Sequence, residues 1–414
     1  MAIAFVESSV SGAGHAVINA ALNMGLSPIL LSIDPNRYNL PFPGLARLKV
    51  NTLDSLEVVK AAKSIPDLQG LGTTYEYFTV VAADAARALG LPGPDPEAVA
   101  NCRSKASTRM VLSKSAPELI PSFRIIKKID ELEDIGATLG YPVVLKSPEL
   151  TGGGCVEFAF TKEEVIAKGS ALLSLQAYAG RQLNGIILAE GFLEGPEFSV
   201  ETFDDQIIAI TKKVVFGAEG LIERGHDVPA VLPDQVNHQI SAATLDALRA
   251  LGLTWGPAHT EIKITPTGPK IVEVNARLGG GRITDLVKEA TGVDYAKALV
   301  DKLIGQPSDI QKRATRFASV RFAVLDHSGT IENVEGLQEA ALVPNIQSVG
   351  TLAKAGYVHN RTGNNRDRLA WALSVAQTPS EAARAAELAA SNIVFRMKDG
   401  LVCKTPISLT HDQI

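Results

Sequence analysis

The stretch from His259 to Arg277 constrains this chain more than any other. It reads His259-Thr-Glu261-Ile-Lys263, then Pro266-Thr267-Gly268-Pro269, then Lys270-Ile-Val-Glu273-Val-Asn275-Ala-Arg277. Two alternating runs around a Pro/Gly turn predict an antiparallel hairpin over residues 259–275. Side chains alternate across a strand, so Glu273, Asn275 and Arg277 share one face while Val272, Val274 and Ala276 take the other. Paired positions in such a hairpin sum to a constant, and Thr267 at the tip sets Glu261 opposite Glu273. Like charges placed that way repel, and a cation between them removes the conflict. The donors on offer are two carboxylates and one amide oxygen, a hard set that suits Mg²⁺. A solvated outer hairpin face is the other reading, because Glu, Lys, Asn and Arg are all common there. The next residues, Leu278-Gly279-Gly280-Gly281-Arg282, favour the first. They open a helix predicted over about 284–290, and their N–H groups and two arginines beside a metal face make a phosphate corner.

A chain of 414 residues holds two to four domains. With 46% hydrophobic and 21% charged residues and no low-complexity tract, the class is globular. A net charge of −5 lacks the basic footprint of a nucleic-acid binder. Cys102, Cys155 and Cys403 are far apart and odd in number, which gives neither a disulfide framework nor a zinc site and fits a reducing compartment. The first residues have no basic, signal-like start, and no apolar run approaches the ~20 residues needed to cross a bilayer. No membrane partner and a cytoplasmic location are expected.

Residues 2–6, the turn Ser11-Gly12-Ala13-Gly14, a helical pattern and the run Ile29 to Asp34 predict a βαβ unit and a parallel sheet. Gly90-Leu91-Pro92-Gly93-Pro94-Asp95-Pro96 breaks regular structure and marks a domain boundary. A helix is predicted around 97–114, and the strand Val143 to Lys146 runs into Thr151-Gly152-Gly153-Gly154. Thr161-Lys162-Glu163-Glu164 reads as a capping box for a helix to about Leu175. Strands follow at 186–190, 197–203 and 206–216, the last two joined by Asp204-Asp205. A Gly- and Pro-rich loop is expected over Gly217–Pro233, then a helix near 238–251. Strands near 316–325 and 393–398, with a helix capped at Thr378, form a smaller module after about Gly305. The Gly12-Ala13-Gly14 turn also invites a dinucleotide-dependent oxidoreductase reading, but Val17 stands where that fingerprint needs Gly or Ala.

The hairpin, the lysines and the glycine loops, in this order, resemble the ATP-grasp ligases through the whole chain. Glu273-Val-Asn275-Ala-Arg277-Leu-Gly279-Gly280-Gly281 is similar to that family's E-x-N-x-R-x-G-G segment. The resemblance implies an α/β and α+β protein of three domains: a preATP-grasp α/β domain (1–96), a two-lobed ATP-grasp domain (97–305) and a C-terminal lid module (306–414). It implies ATP and two magnesium ions as cofactors, with Glu261, Glu273 and Asn275 as metal ligands. Arg277, with Gly280 and Gly281, would steady the acyl phosphate. Lys105 and Lys146 would bind phosphates, and the loop with Gly153 and Gly154 would close over them. Without the resemblance, Lys105 is an ordinary helix lysine, whereas Lys146 ends an apolar strand just before a Gly-rich loop. Glu190, Phe192 and Leu193 resemble the adenine hinge, and Glu197 the ribose-binding residue. Glu223-Arg-Gly-His226-Asp-Val-Pro resembles the E-x-G-H-x-x-P segment of dipeptide-forming L-amino-acid ligases, so Glu223 and His226 would line an amino-acid pocket. The implied activity couples a small-molecule carboxylate to an amine, both amino acids by this resemblance, as in dipeptide antibiotic biosynthesis, with homodimers common among relatives. A purine-pathway carboxylate–amine ligase is the alternative within the superfamily.

Overall fold

The computed structural model describes residues 1–9, 12–38, 42–178, 180–216 and 222–405. Ser11 of the predicted glycine turn and residues 217–221 at the head of the predicted loop lie outside them. Strands β1 (Ala2–Val6), β2 (Ser27–Ser32), β3 (Ala46–Lys49) and β4 (Leu68–Gly72) pair in parallel in the order β3-β2-β1-β4. All five residues of β1 are buried, as befits a strand in a sheet covered on both faces. The helix Ala13–Asn23 makes the expected crossover from β1 to β2. Asp34, just past β2, caps the short turn Pro35–Arg37, its side chain accepting from Asn36 N.

The helix predicted over 97–114 is two helices, Pro96–Arg103 and Lys105–Ser115. Ser104 between them is extended (φ −107°, ψ 122°), which re-aims the second helix so that Lys105 N bonds Pro148 O at 3.0 Å. The pivot turns Lys105 inward instead of leaving it on a solvated face. Next comes a small antiparallel sheet of β5 (Phe123–Ile126), β6 (Val143–Lys146), β7 (Val156–Ala159) and β10 (Ile187–Gly191), in the order β5-β10-β6-β7. The short hairpin β8 (Ala177–Tyr178) and β9 (Arg181–Gln182) precedes β10. The helix Lys162–Ser174 starts as predicted. Thr161 Oγ1 accepts from Glu164 N, and the Glu164 carboxylate takes Phe160 N.

The centre is an eight-stranded sheet containing β11 (Glu197–Phe203), β12 (Gln206–Phe216), β13 (Ile222–Val228), β14 (Pro257–Thr265), β15 (Gly268–Asn275), β16 (Phe317–Val324), β18 (Ile346–Thr351) and β20 (Arg368–Ala376). Its order is β15-β14-β11-β12-β13-β16-β20-β18. The intervening β17 (Gly329–Glu335) and β19 (Val358–His359) join β21 (Val394–Met397) and β22 (Val402–Lys404) in a separate small sheet. Where a loop was expected over 217–233, residues 222–228 form β13, paired on both sides by β12 and β16. Its polar sequence hid it. Asp227 takes both Nη atoms of Arg321 at 2.7 and 3.2 Å, so a charged strand lies inside a sheet with its charge matched. Through β13 the sheet continues into the C-terminal segment, whose helix Pro379–Asn392 packs on β16 and β20. Among the described residues no helix is long and apolar enough to cross a membrane.

Candidate active site

A cavity of about 370 Å³ opens between the small sheet and the central sheet, a volume suited to a small-molecule ligand. Its lining gathers residues from far apart in sequence: Lys105, Lys146, Glu190, Glu197, Glu261 and Glu273. Gly153, Gly154, Phe192, Leu193 and Glu223 also border it. Phe192 meets Phe158 edge to face, with ring centroids 6.0 Å apart, at the apolar end.

The hairpin register is the one the sequence predicts, with Glu261 directly paired with Glu273. Each carboxylate already faces a cation. Lys105 Nζ lies 3.0 Å from Glu273 Oε2 and donates to Leu150 O at 2.7 Å. Lys213, which sequence reasoning missed, meets three carboxylates: Glu197, Glu223 at 2.9 Å and Glu261 at 3.0 Å. Burial works against the Lys213 charge, but the three carboxylates overcome it and raise its pKa well above the ordinary lysine value. Its signal was faint, a second lysine in Thr211-Lys212-Lys213 whose strand phase turns it inward.

Glu201 and His259 were missed as well. Cross-strand pairing sets Glu201 against His259 and Ser199 against Glu261. His259 Nδ1 is 2.7 Å from Glu201 Oε1, and Nε2 is 3.5 Å from Glu261 Oε1. Burial opposes a charge on this imidazole, but Glu201 outweighs it and brings the pKa up to about 10. Asn275 is buried, and with its amide turned so that Nδ2 faces inward it donates to Glu273 Oε1 at 3.1 Å and Glu76 Oε2 at 2.9 Å. No trio of His, Cys, Asp or Glu converges among the described residues. Glu261 and Glu273 thus stand side by side on the cavity wall, each met by a lysine at 3.0 Å, and the Asn275 amide turns its nitrogen toward Glu273.

Glu190 departs from the expected hinge role. Its side chain is buried and committed to Arg109 and Lys146. Burial disfavours its charge, yet Arg109 and Lys146 together hold its carboxyl below the usual range. Burial lowers the Lys146 pKa against the pull of Glu190. Arg109 also donates to Val272 O at 2.9 Å, which ties the second helix to β15.

Beyond this cavity lies a second, of about 280 Å³. Arg277, Gly280, Gly281, Glu76, Arg282 and Arg368 border it. Arg277 lies two residues beyond the end of β15 and meets the same Glu76 carboxylate as Asn275. It reaches the N-terminal segment, with Nε 2.5 Å from Glu76 Oε2. Arg368 Nη1 donates to Glu223 Oε2 at 3.0 Å and its guanidinium stacks on Phe322. Glu223 borders the first cavity, and His226 borders neither. His226 stands behind Gly281, where an added Cβ would lie 2.5 Å from Nε2. Burial pushes this imidazole down to about 3, against the pull of Glu223, so it is neutral at ordinary pH.

Comparison with known proteins places family resemblances on two stretches of the chain. Residues 139–285 match the ATP-grasp domain, and residues 321–398 match the L-amino acid ligase C-terminal domain 2. An uncharacterised protein of Sinorhizobium fredii is 29% identical over 408 residues, covering 97% of this chain and 82% of that protein. Alanine–anticapsin ligase of Bacillus subtilis is 27% identical over 282 residues, 61% of this chain, and the match spans 58% of that ligase. In fold, the chain is similar to the crystal structure of L-amino acid ligase from Bacillus licheniformis. The TM-score is 0.82 at 22% identity, covering 96% of this chain and 98% of the other.

Proposed function

We propose, on the premise that this chain belongs to the ATP-grasp carboxylate–amine ligases related to the L-amino acid ligases, that it joins two amino acids. Dependence on ATP and magnesium is general to that family. The carboxylate of the first amino acid becomes an acyl phosphate, the amine of the second attacks it, and a dipeptide, ADP and phosphate leave. One observation carries this reading: the facing pair Glu261 and Glu273 shares a cavity with Lys105 and Lys146, and a second cavity bordered by Arg277 adjoins it.

Lys105, Lys146 and Lys213 line the cavity and would supply positive charge to nucleotide phosphates, to which Gly153 and Gly154 would offer backbone N–H groups. Glu197 would meet ribose hydroxyls, and backbone of 190–193 with the Phe192 ring would meet adenine; all of them border the cavity. Glu261, Glu273 and, once its amide is rotated to present Oδ1, Asn275 would hold two magnesium ions, which when bound neutralise charge on the phosphates. Lys105 meets Glu273 and Lys213 meets Glu261, each at 3.0 Å. Arg277 holds a guanidinium at the second cavity, where acyl-phosphate charge gathers. Glu76 beside it suits the ammonium of an amino acid. The neutral His226 backs Gly281 and fixes the wall, while Glu223 is held by Lys213 and Arg368 at the boundary between cavities.

Product analysis tests the proposal. The protein is incubated with ATP, Mg²⁺ and amino acids in pairs, and ADP, phosphate and new amides are followed by mass spectrometry. Amino-acid-dependent ADP with an amide product is expected. AMP with pyrophosphate, or ADP only with a ribosylamine as amine, overturns it. Arg277→Ala should lower turnover by about a hundredfold, the scale for removing one donor to a developing oxyanion.

A further inference from the structure

The two cavities have one lining residue in common among the described residues, Asn365. It comes from the C-terminal segment, at the start of the short turn Asn365–Asp367 that leads into β20. The turn is held from all sides. Buried Asp367 accepts Thr362 N at 2.9 Å, Thr362 Oγ1 at 2.8 Å and Gly363 N at 2.7 Å. Asn364 caps the turn through Arg366 N and donates to Tyr178 OH, at 3.3 Å, in the β8–β9 hairpin. Arg368 Nε donates to Asn365 O at 3.2 Å.

The Asn365 side chain is oriented by its own acceptor. Its Oδ1 takes the Glu223 backbone N–H at 2.9 Å, which turns Nδ2 away from β13. Among the described residues Nδ2 has no acceptor, so a fixed amide donor stands between the lysine-lined cavity and the arginine-lined one. Under the function proposed above, a phosphoryl group must cross that boundary. Its three peripheral oxygens carry the spread charge of transfer, and preorganised donors aimed at them are the effective catalytic device.

We propose that Asn365 is a catalytic residue of the phosphoryl-transfer step, its Nδ2–H donating to an oxygen of the γ-phosphoryl group in transit. The P–O bond to the β-bridging oxygen breaks and a P–O bond to the substrate carboxylate forms. Asn365 transfers no proton and only stabilises the charge. The inference rests on the ligase reading.

Two substitutions separate this donor from a structural role. Asn365→Asp keeps an oxygen for the Glu223 N–H but has no donor, and Asn365→Ala has neither. Both should cut kcat by about a hundredfold while the KM for ATP and the ADP affinity by calorimetry stay within about threefold of wild type. Positional isotope exchange in bridge-labelled ATP, with the first amino acid alone, should slow by the same factor because it reports phosphoryl transfer without amide formation. Rescue of turnover by Asp makes the residue merely a support for Glu223 and overturns the proposal. Normal isotope exchange in either variant does the same. If the wild-type protein forms no ADP with amino acids, it is the ligase reading that fails, and that arm is run first.

Discussion

Replacing Glu190 by Gln tests whether the cavity wall is built on a buried ion triad. Glu190 is 4% exposed, Arg109 0% and Lys146 6%, so the two cations have no solvent to fall back on. Arg109 Nη1 is already buried without a hydrogen-bond partner among the described residues. Gln keeps the shape and one oxygen but removes the charge that both cations face. Breaking a buried pair from one side costs about 3–5 kcal/mol, since the partner is stranded. With an m-value of about 3 kcal/mol/M, the urea midpoint should fall by about 1–1.7 M, read from the fluorescence of Trp255 and Trp371. Adding Arg109→Met to Glu190→Gln removes one stranded cation, so the double variant should be less unstable than the sum of the singles by about 1–3 kcal/mol. Lys146 loses its acceptor and swings freely, so ATP affinity should also drop. A loss below about 1 kcal/mol, with additive singles, refutes the triad as a structural unit, because a solvated pair has that size.

Lys213→Met leaves Glu197, Glu223 and Glu261 facing one another without their shared ammonium. The ligand-free variant should unfold earlier, and added Mg²⁺ should restore more of its melting temperature than it adds to wild type; equal increments contradict the role of Lys213 as counter-cation. The His226 pKa, depressed to about 3, carries a signed pH dependence. The unfolded chain takes up a proton below about pH 6.5 that the folded one refuses, so stability falls with pH, by about 2 kcal/mol at pH 5 from this group. His226→Asn should flatten the urea midpoint between pH 7 and 5, and parallel curves for the two proteins reject the assignment.

The chain itself determined the register of the carboxylate hairpin. Alternation and a Pro/Gly turn are local, so the Glu261–Glu273 pairing followed from residues 259–275 alone. The βαβ start, the Thr161 and Thr378 caps and the Asp204-Asp205 turn were legible for the same reason. Motif order carried the family. Tertiary structure decided everything that depends on a charge being buried by distant segments. Strand β13 looked like a loop because its arginine, histidine and aspartate are tolerated only once Arg321 and its neighbours match them. Glu190 matched a hinge in one dimension, yet Arg109, 81 residues away, claimed its carboxylate. Lys213, His259 and Glu201 gave no motif because each acts across strands, and Asn365 gave none because its position between two cavities exists only after the C-terminal strands extend the central sheet. A sequence states which charges a chain owns, and only packing states which of them are left facing a ligand.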